Sequence, residues 1–231
     1  MNELISCVIT SFNSEKYIAD AVKSILNQTY KHKEIIVADG GSTDSTREVI
    51  EKFNSDINFI TKKTVSPAAT RNLGFQSSKG DYIAFLDADD LWHPEKLARQ
   101  MNCFTENPGV DFCITYAEMF WSEDLKNEKV FFKDHPRSKS IPGYATTTLL
   151  AKKKVFKKTG EFNDNLWFTD ATDWFIRAKE LGLKIFVIEE PFTFHRMHRS
   201  NLTKRKSEES REEFLALVKN VLDRKKTGIA K

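Results

Sequence analysis

Several features that would place a chain in a function class at once are missing here. No apolar run approaches the ~20 residues a membrane-spanning helix needs, and no basic segment leads into an apolar stretch at the start. A chain that is soluble, or at most peripheral to a membrane, is expected. Cysteine is scarce: Cys7, Cys103 and Cys113 are an odd number at no metal-like spacing. Cys7 and Cys113 fall inside apolar runs, where a thiol acts as a small hydrophobe. A reduced, cytoplasmic protein is the expectation, with contact at the inner face of the membrane left open. Charge of one sign hardly dominates, since 36 basic and 33 acidic residues leave a formal +3. That balance argues against nucleic acid as the main partner. A Walker A pattern is absent, no Gly-x-Gly-x-x-Gly follows the first strand, and no internal repeat or low-complexity block is visible.

What is present suits a folded α/β chain: 231 residues, 40% hydrophobic and 12% aromatic, enough for a sizeable core. Strands are expected over residues 4–9, 34–38, 57–61, 82–90 and 111–116. Between them come helices marked by Tyr17, Ala21 and Ile25, with Ser14 as cap; by Val49, Ile50 and Phe53; by Ser66-Pro67; and by Leu97, Met101 and Phe104 after Pro94. Four such alternations predict a mainly parallel sheet with ligands beyond the carboxyl ends of its strands. The later chain is less regular. Residues 123–140 read as a loop or hairpin, 146–151 as a strand and 152–158 as a short basic helix stopped by Gly160. Trp174, Phe175 and Ala178 mark a helix ending at Gly182; 185–188 and 192–194 read as two further strands. Phe214, Leu217, Val218, Val221 and Leu222 form a final helical stripe, with Ser210 and Glu213 at capping-box spacing. The Lys204-Arg205-Lys206 cluster in front of it reads as solvated, and with the stripe it makes membrane-surface contact a minor alternative.

The central stretch is Tyr82-Ile83-Ala84-Phe85-Leu86-Asp87-Ala88-Asp89-Asp90. A buried strand ends in three carboxylates within four positions. Carboxylates lose hydration and repel one another there, so a cation should offset that cost. A divalent ion that also holds a phosphate-bearing substrate is the simplest candidate, and a turn leading into a helix is the plainer one. Asp39-Gly40-Gly41-Ser42 is a strand-to-helix turn open to close ligand approach, in which Asp39 could accept from a ring N–H such as that of uracil. Arg71 could pair with phosphate or stack on a base. Asp170 and Asp173 share one helical face and are candidate general bases, or simply acids at a helix N-terminus. His198 is a candidate to complete a metal site or touch a diphosphate, and otherwise a surface histidine.

Together these stretches resemble the family-2 glycosyltransferases of the GT-A fold. The marks are Val8-Ile9-Thr10-Ser11-Phe12-Asn13, Ser24-Ile25-Leu26-Asn27-Gln28-Thr29-Tyr30 and Asp39-Gly40-Gly41-Ser42-Thr43-Asp44. They continue with Ala69-Thr70-Arg71-Asn72-Leu73-Gly74 and Gly80-Asp81 through Asp90. The resemblance covers roughly residues 4–203. It implies a GT-A domain over 1–203, with a nucleotide-binding half (1–116) and an acceptor-binding half (117–203), followed by a basic amphipathic helical tail (204–231). It implies inverting transfer of a sugar from a nucleotide-sugar donor, UDP preferred, to a hydroxyl of a saccharide, lipid-linked saccharide or protein acceptor. Thr10, Ser11, Phe12, Asp39, Gly41, Arg71, Asp87 and Ala88 match positions of the nucleotide pocket. Asp87-Ala88-Asp89 matches the Asp-x-Asp motif, with Asp89 the expected ligand of Mn2+ or Mg2+ and His198 its helper. Asp170-Ala171-Thr172-Asp173 matches the segment of the catalytic base. Alanine stands where the family often has the second acid of a Glu-Asp pair, so the base is either Asp170 or Asp173. Trp174 and Arg177 fall in family register behind Asp173 and favour it. A homodimer is left open. The rivals are a nucleotidyltransferase, which would release pyrophosphate instead of nucleoside diphosphate, and a non-catalytic nucleotide-sugar-binding protein of the same fold.

Overall fold

The computed structural model of the protein describes residues 3–53, 57–125 and 140–226. The alternation expected of the first half is present. β1 (Ile5–Ser11), α1 (Ile18–Leu26), β2 (Lys33–Asp39), α2 (Thr46–Glu51), β3 (Ile57–Thr61), α3 (Pro67–Gln76) and β4 (Tyr82–Asp87) follow in turn. Their strands pair in parallel in the order β3-β2-β1-β4. After β5 (Leu91–Trp92) and α4 (Lys96–Glu106) come β6 (Phe112–Trp121), β7 (Ile141–Pro142), β8 (Leu150–Lys152) and α5 (Phe156–Thr159). The described chain then runs through α6 (Asp170–Glu180), β9 (Ile185–Met197), α7 (Leu202–Arg205) and α8 (Ser207–Lys226). The same sheet continues β4-β8-β6-β9-β5. Antiparallel pairing enters only in this half, at β8, β5 and β7, while β6 and β9 run parallel.

Both faces of the sheet are covered, and the two-residue period of the strands sorts the side chains between them. Ile5, Cys7 and Ile9 of β1 and Tyr82, Ala84 and Leu86 of β4 join one core with α1 and α4. Val8, Ile83 and Phe85 point the other way, into a second core with Phe156, Phe162 and Trp174 from the α5–α6 region. All three cysteines are free and buried.

Four expectations need correction. Ser14 does not cap α1 with its side chain; its carbonyl accepts from the amides of Tyr17 and Ile18, and its hydroxyl bonds the Phe12 carbonyl. Residues 146–151 are not one strand. Thr146–Thr148 form a 3-10 turn, because Thr148 Oγ1 donates to the carbonyls of Ala145 and Gly143 and holds the backbone in a turn before β8 begins. The two late strands are one, β9, interrupted where Thr115 faces Ile188 but Tyr116 faces Pro191. Proline has no amide to give the ladder, so the irregularity falls there. Ser210 and Glu213 form no capping box, since α8 begins at Ser207 and Glu213 is used elsewhere. Of the loop or hairpin expected over 123–140, residues 126–139 lie outside the described residues. Ser66 does cap α3, its Oγ accepting from Ala69 N at 3.1 Å with Pro67 in the first turn.

Two packing details have consequences for stability. Gly74 lies where α3 meets β1 and β2: a Cβ there would collide with Val8 Cγ1 and stand 3.2 Å from Ala38 Cβ. Both neighbours are core side chains of central strands. Gly74→Ala should therefore lower the urea midpoint, at a cost of about 1–3 kcal/mol despite the better helix propensity of alanine. Lys96, meanwhile, is fully buried, its Nζ bonded to Gln100 Oε1 at 2.8 Å and 4.2 Å from the Trp92 ring centre. Burial depresses its ammonium from 10.5 to about 7. The unfolded chain then binds more protons than the folded one between those values, so stability rises as pH climbs through that window. Lys96→Met should melt a few degrees higher than the parent at neutral pH, with the gap closing by about pH 10. A thermal melt series across that range checks it.

Candidate active site

The acids closing β4 meet residues of β1, of α3 and of the end of β9, and each has a specific holder. Asp87 Oδ1 accepts from Thr10 Oγ1 of β1 at 2.8 Å and from Arg71 Nη2 of α3 at 2.9 Å. The other end of the same guanidinium, Nη1, reaches Asp170 Oδ2 at the start of α6 at 2.6 Å. Arg71 thus bridges two carboxylates from opposite halves of the chain. It is buried, and its Nε has no partner among the described residues. Burial alone would weaken its charge, but Asp170 and Asp87 outweigh that and bind the proton more firmly. Burial pushes the Asp170 carboxyl up from its ordinary value, against the pull of Arg71.

Asp89 faces the end of β9. Its Oδ2 is 2.9 Å from His198 Nε2, and Asn201 Nδ2 approaches the same oxygen at 3.4 Å. Asn201 also accepts from the His198 amide at 2.6 Å, and Ser200 Oγ engages His198 Nδ1 at 2.8 Å, so the imidazole is fixed from several sides. Burial works to raise the Asp89 carboxyl. The His198 hydrogen bond and the nearby imidazole charges prevail and lower it. Arg196 donates from Nε to the Asp89 carbonyl at 2.9 Å and from Nη2 to Asp20 at 3.0 Å, its guanidinium packed between the rings of Tyr17 and Phe120. Asp90 turns inward instead. Burial raises it to about 6 against the opposing pull of His195, which stands 2.9 Å away and is itself raised to about 9 by Asp90.

The loops after β1 and β2 form the adjoining wall. Gly40 N donates to Ser11 O at 2.8 Å, and Ala88 N to Thr10 O at 3.1 Å, so the strand ends are tied together. Asn13 takes a left-handed φ of 49° and receives Thr43 N on its Oδ1 at 2.8 Å. Gly41 has φ 93°, and a Cβ there would meet the Lys63 backbone at 3.2 Å. Asp39 Oδ2 accepts from Gly41 N, Ser42 N and Thr61 Oγ1 at 3.0, 2.8 and 3.0 Å, and its Oδ1 from Ser42 Oγ. Its carboxylate organises its own loop. Phe12 is exposed at the mouth and Ser11 Oγ is buried without a partner among the described residues.

The structure therefore brings Thr10, Arg71, Asp87 and Asp170 into one cluster and Asp89 and His198 into a second. Ala88 lies in the turn between them, and Ser11, Phe12, Asp39 and Gly41 in the wall. Asp173 is not brought in. Its Oδ2 takes Arg177 Nε at 2.8 Å, and that guanidinium continues to the carbonyls of Thr159 and Glu161. Arg71 pairs with Asp87 and Asp170 in this structure. Sequence reasoning missed Asn72, whose side chain grips Phe162 through both its amide and its carbonyl and Asp164 through its carboxylate. It also missed Glu213. From α8 this carboxylate accepts from the amides of Trp167, Phe168 and Thr169 at 3.0, 2.9 and 2.8 Å and from Thr169 Oγ1 at 2.7 Å. It fixes the three residues that lead into α6 from outside that helix. Neither contact has a local signal, since Asn72 and Asp164 lie 92 residues apart and Thr169 and Glu213 lie 44 apart.

Among the described residues no three His, Cys, Asp or Glu side chains gather to hold a metal ion unaided. Asp89 and His198 supply one oxygen and one nitrogen donor side by side, a set that suits a divalent ion whose other positions are filled by phosphate oxygens and water.

The sequence model of the family described as Glycosyl transferase family 2 matches residues 6–174. WfaP of Escherichia coli, a UDP-Glc:alpha-D-GlcNAc-diphosphoundecaprenol beta-1,3-glucosyltransferase, is 29% identical over 211 residues, which cover 90% of this chain and 82% of WfaP. An uncharacterized glycosyltransferase of Rickettsia conorii is 43% identical over 105 residues, covering 45% of this chain and 17% of that protein. The chain spans between 17% and 58% of the matched proteins from Rickettsia conorii, Rickettsia felis, Haemophilus influenzae and Rickettsia typhi. Staphylococcus aureus TarS 1–349 in complex with UDP-GlcNAc superposes with a TM-score of 0.68 at 18% identity, over 94% of this chain and 66% of that one. The mannosyltransferase PcManGT from Pyrobaculum calidifontis, in complex with GDP-Man and Mn2+, gives 0.67 at 15% identity over 93% and 64%. These structural likenesses show the GT-A fold. With well over half of its residues matched, the chain belongs to glycosyl transferase family 2.

Proposed function

We propose that the chain transfers a sugar from a nucleoside diphosphate sugar to a hydroxyl of a saccharide or lipid-linked saccharide, in one displacement with inversion. The observation that carries this reading is the bridge from Asp87 through Arg71 to Asp170, with Asp89 and His198 beside it. It sets an acid with raised basicity within one guanidinium of a strand-end carboxylate cluster. WfaP takes UDP-glucose and a GlcNAc-diphosphoundecaprenol acceptor, and it aligns with most of this chain. That supports a UDP-sugar donor and a lipid-linked saccharide acceptor.

In this mechanism Asp170 takes the proton of the acceptor hydroxyl as its oxygen attacks the anomeric carbon. The bond from that carbon to the diphosphate oxygen breaks on the opposite face, and its electron pair leaves with the nucleoside diphosphate. Asp170 is favoured over Asp173 because it adjoins the acid cluster, whereas Asp173 is held by Arg177, which faces Thr159 and Glu161. Arg71 opposes the upward push of burial on the Asp170 carboxyl, and it retains Asp87 as a partner once Asp170 is protonated. Thr10 and Arg71 fix Asp87, which lies at the rim of the nucleotide pocket with Ser11, Phe12, Asp39, Gly41 and Ala88. Asp89 and His198 would hold Mn2+ or Mg2+, which when bound supplies positive charge to the departing diphosphate. PcManGT, with Mn2+ in its complex, has the same fold.

A thermal-shift screen against UDP-, GDP- and dTDP-sugars with and without Mn2+ should show the largest rise with a UDP-sugar and metal together. Asp89→Ala should remove the metal-dependent part of that shift and cost at least about a hundredfold in turnover. Near-normal transfer by that variant with added Mn2+ would refute the metal role. Asp170→Asn should lower kcat by about 10²–10⁴ while leaving donor binding in place, and Asp173→Asn should change it by less than about tenfold. The reverse ranking in steady-state assays would return the base to Asp173.

A further inference from the structure

Arg196, near the end of β9, is bonded to the acids that follow β4 through both its backbone and its side chain. Its amide donates to Asp90 Oδ1 at 3.0 Å, and its carbonyl accepts from Asn201 Nδ2 at 3.0 Å. Its Nε donates to the Asp89 carbonyl at 2.9 Å. The guanidinium is clamped at the same time. Phe120, opposite Arg196 on β6, and Tyr17, which precedes α1, place their ring centres 4.7 and 4.8 Å from its Cζ. Nη2 donates to Asp20 of α1 at 3.0 Å, and the side chain is 11% exposed. Tyr17 also packs on the His198 ring, with centres 4.6 Å apart. Arg196 and His198 thus share one aromatic neighbour and one acid. They meet that acid at different groups, Arg196 at the Asp89 carbonyl and His198 at its carboxylate.

We propose that Arg196 is a positioning residue of the metal site, holding the backbone of Asp89 so that its carboxylate stands against His198. This rests on the reading that Asp89 and His198 hold Mn2+ or Mg2+. Asp89 lies in the turn beyond β4, where the strand ladder no longer fixes its backbone. A metal site tolerates errors of only about 0.2 Å in its ligand distances, and the groups behind the ligands set them. Where the guanidinium binds decides its role. On the carboxylate it would compete with an incoming cation; on the carbonyl it fixes the residue and leaves the carboxylate for the ion. Asp20 and the two ring faces take up its positive charge, which lessens repulsion of that ion. Lysine could not replace it. One donor serves the carbonyl, another serves Asp20, and the flat faces serve the rings, which a single ammonium cannot reproduce.

The test titrates Mn2+ into the full chain with excess UDP, and in a second arm with GDP, without sugar or acceptor. Free Mn2+ is read by electron paramagnetic resonance. Arg196→Lys should raise the apparent Kd for Mn2+ at least about tenfold. Asp20→Asn, which is half-exposed and reaches the acids only through Arg196, should raise it about threefold with an unchanged urea midpoint. Arg99→Lys, at an exposed pair with Glu190, should leave it unchanged. An arginine that merely glues α1 to β9 predicts a lower urea midpoint and parental Mn2+ affinity in the folded variants. Parental affinity in both Arg196→Lys and Asp20→Asn therefore overturns the inference and leaves the metal reading standing. If Arg196→Lys does not fold, Asp20→Asn alone decides. A parent chain that binds no Mn2+ with either nucleotide overturns the metal reading, and this inference with it.

Discussion

The structure depends on one guanidinium held between two carboxylates. Asp87 and Asp170 come from different halves of the chain, and nothing in the backbone requires them to approach. Arg71 makes their approach favourable by taking one on each terminal nitrogen. A buried charge without partners costs several kcal/mol, so the three groups stand or fall together. The same bridge fixes α6 against α3 at the end where the strands of the sheet terminate. Asn72, the next residue, reinforces it by gripping Phe162 and Asp164 on the approach to α6. One turn of α3 thereby sets where the second half of the chain sits on the first.

Around that bridge the parallel strands act as a ruler. β1, β2 and β4 are in register, so Ser11 pairs with Asp39 and Thr10 with Asp87, and the polar residues reach the edge at a common level. Where the strands end, backbone amides stitch the loops together, and Asp39 serves as an internal cap for its own turn. The wall of the cluster is therefore held by its own backbone amides and by one carboxylate.

The first half of this architecture was legible in the sequence because its signals are local. Apolar runs of strand length, helical spacing and Ser66-Pro67 each depend on neighbours a few residues away, and the elements fell where those signals placed them. The acids at the ends of β2 and β4 were legible for the same reason. Pairings over long separations were not. Glu213 reaches back more than forty residues to hold the segment that leads into α6, and at sequence level it looked like part of its own helix's cap. The bridge through Arg71 had no local signal either, because Asp87 and Asp170 become its neighbours only in the fold. The run Thr146-Thr147-Thr148 has strand propensity, and three-dimensional bonding of Thr148 to nearby carbonyls overrode it.

The irregularity in β9 has a bearing on handedness of a different kind. Across it the pairing offset between β6 and β9 grows by three residues, from Thr115 opposite Ile188 to Ala117 opposite Thr193. An odd insertion inverts the alternation of side chains, so residues that would have pointed to one side of the sheet now point to the other. His195 is aimed at Asp90 only because of that inversion. Pro191 and the two glutamates before it thus decide which side of the sheet the later part of β9 presents to the acids.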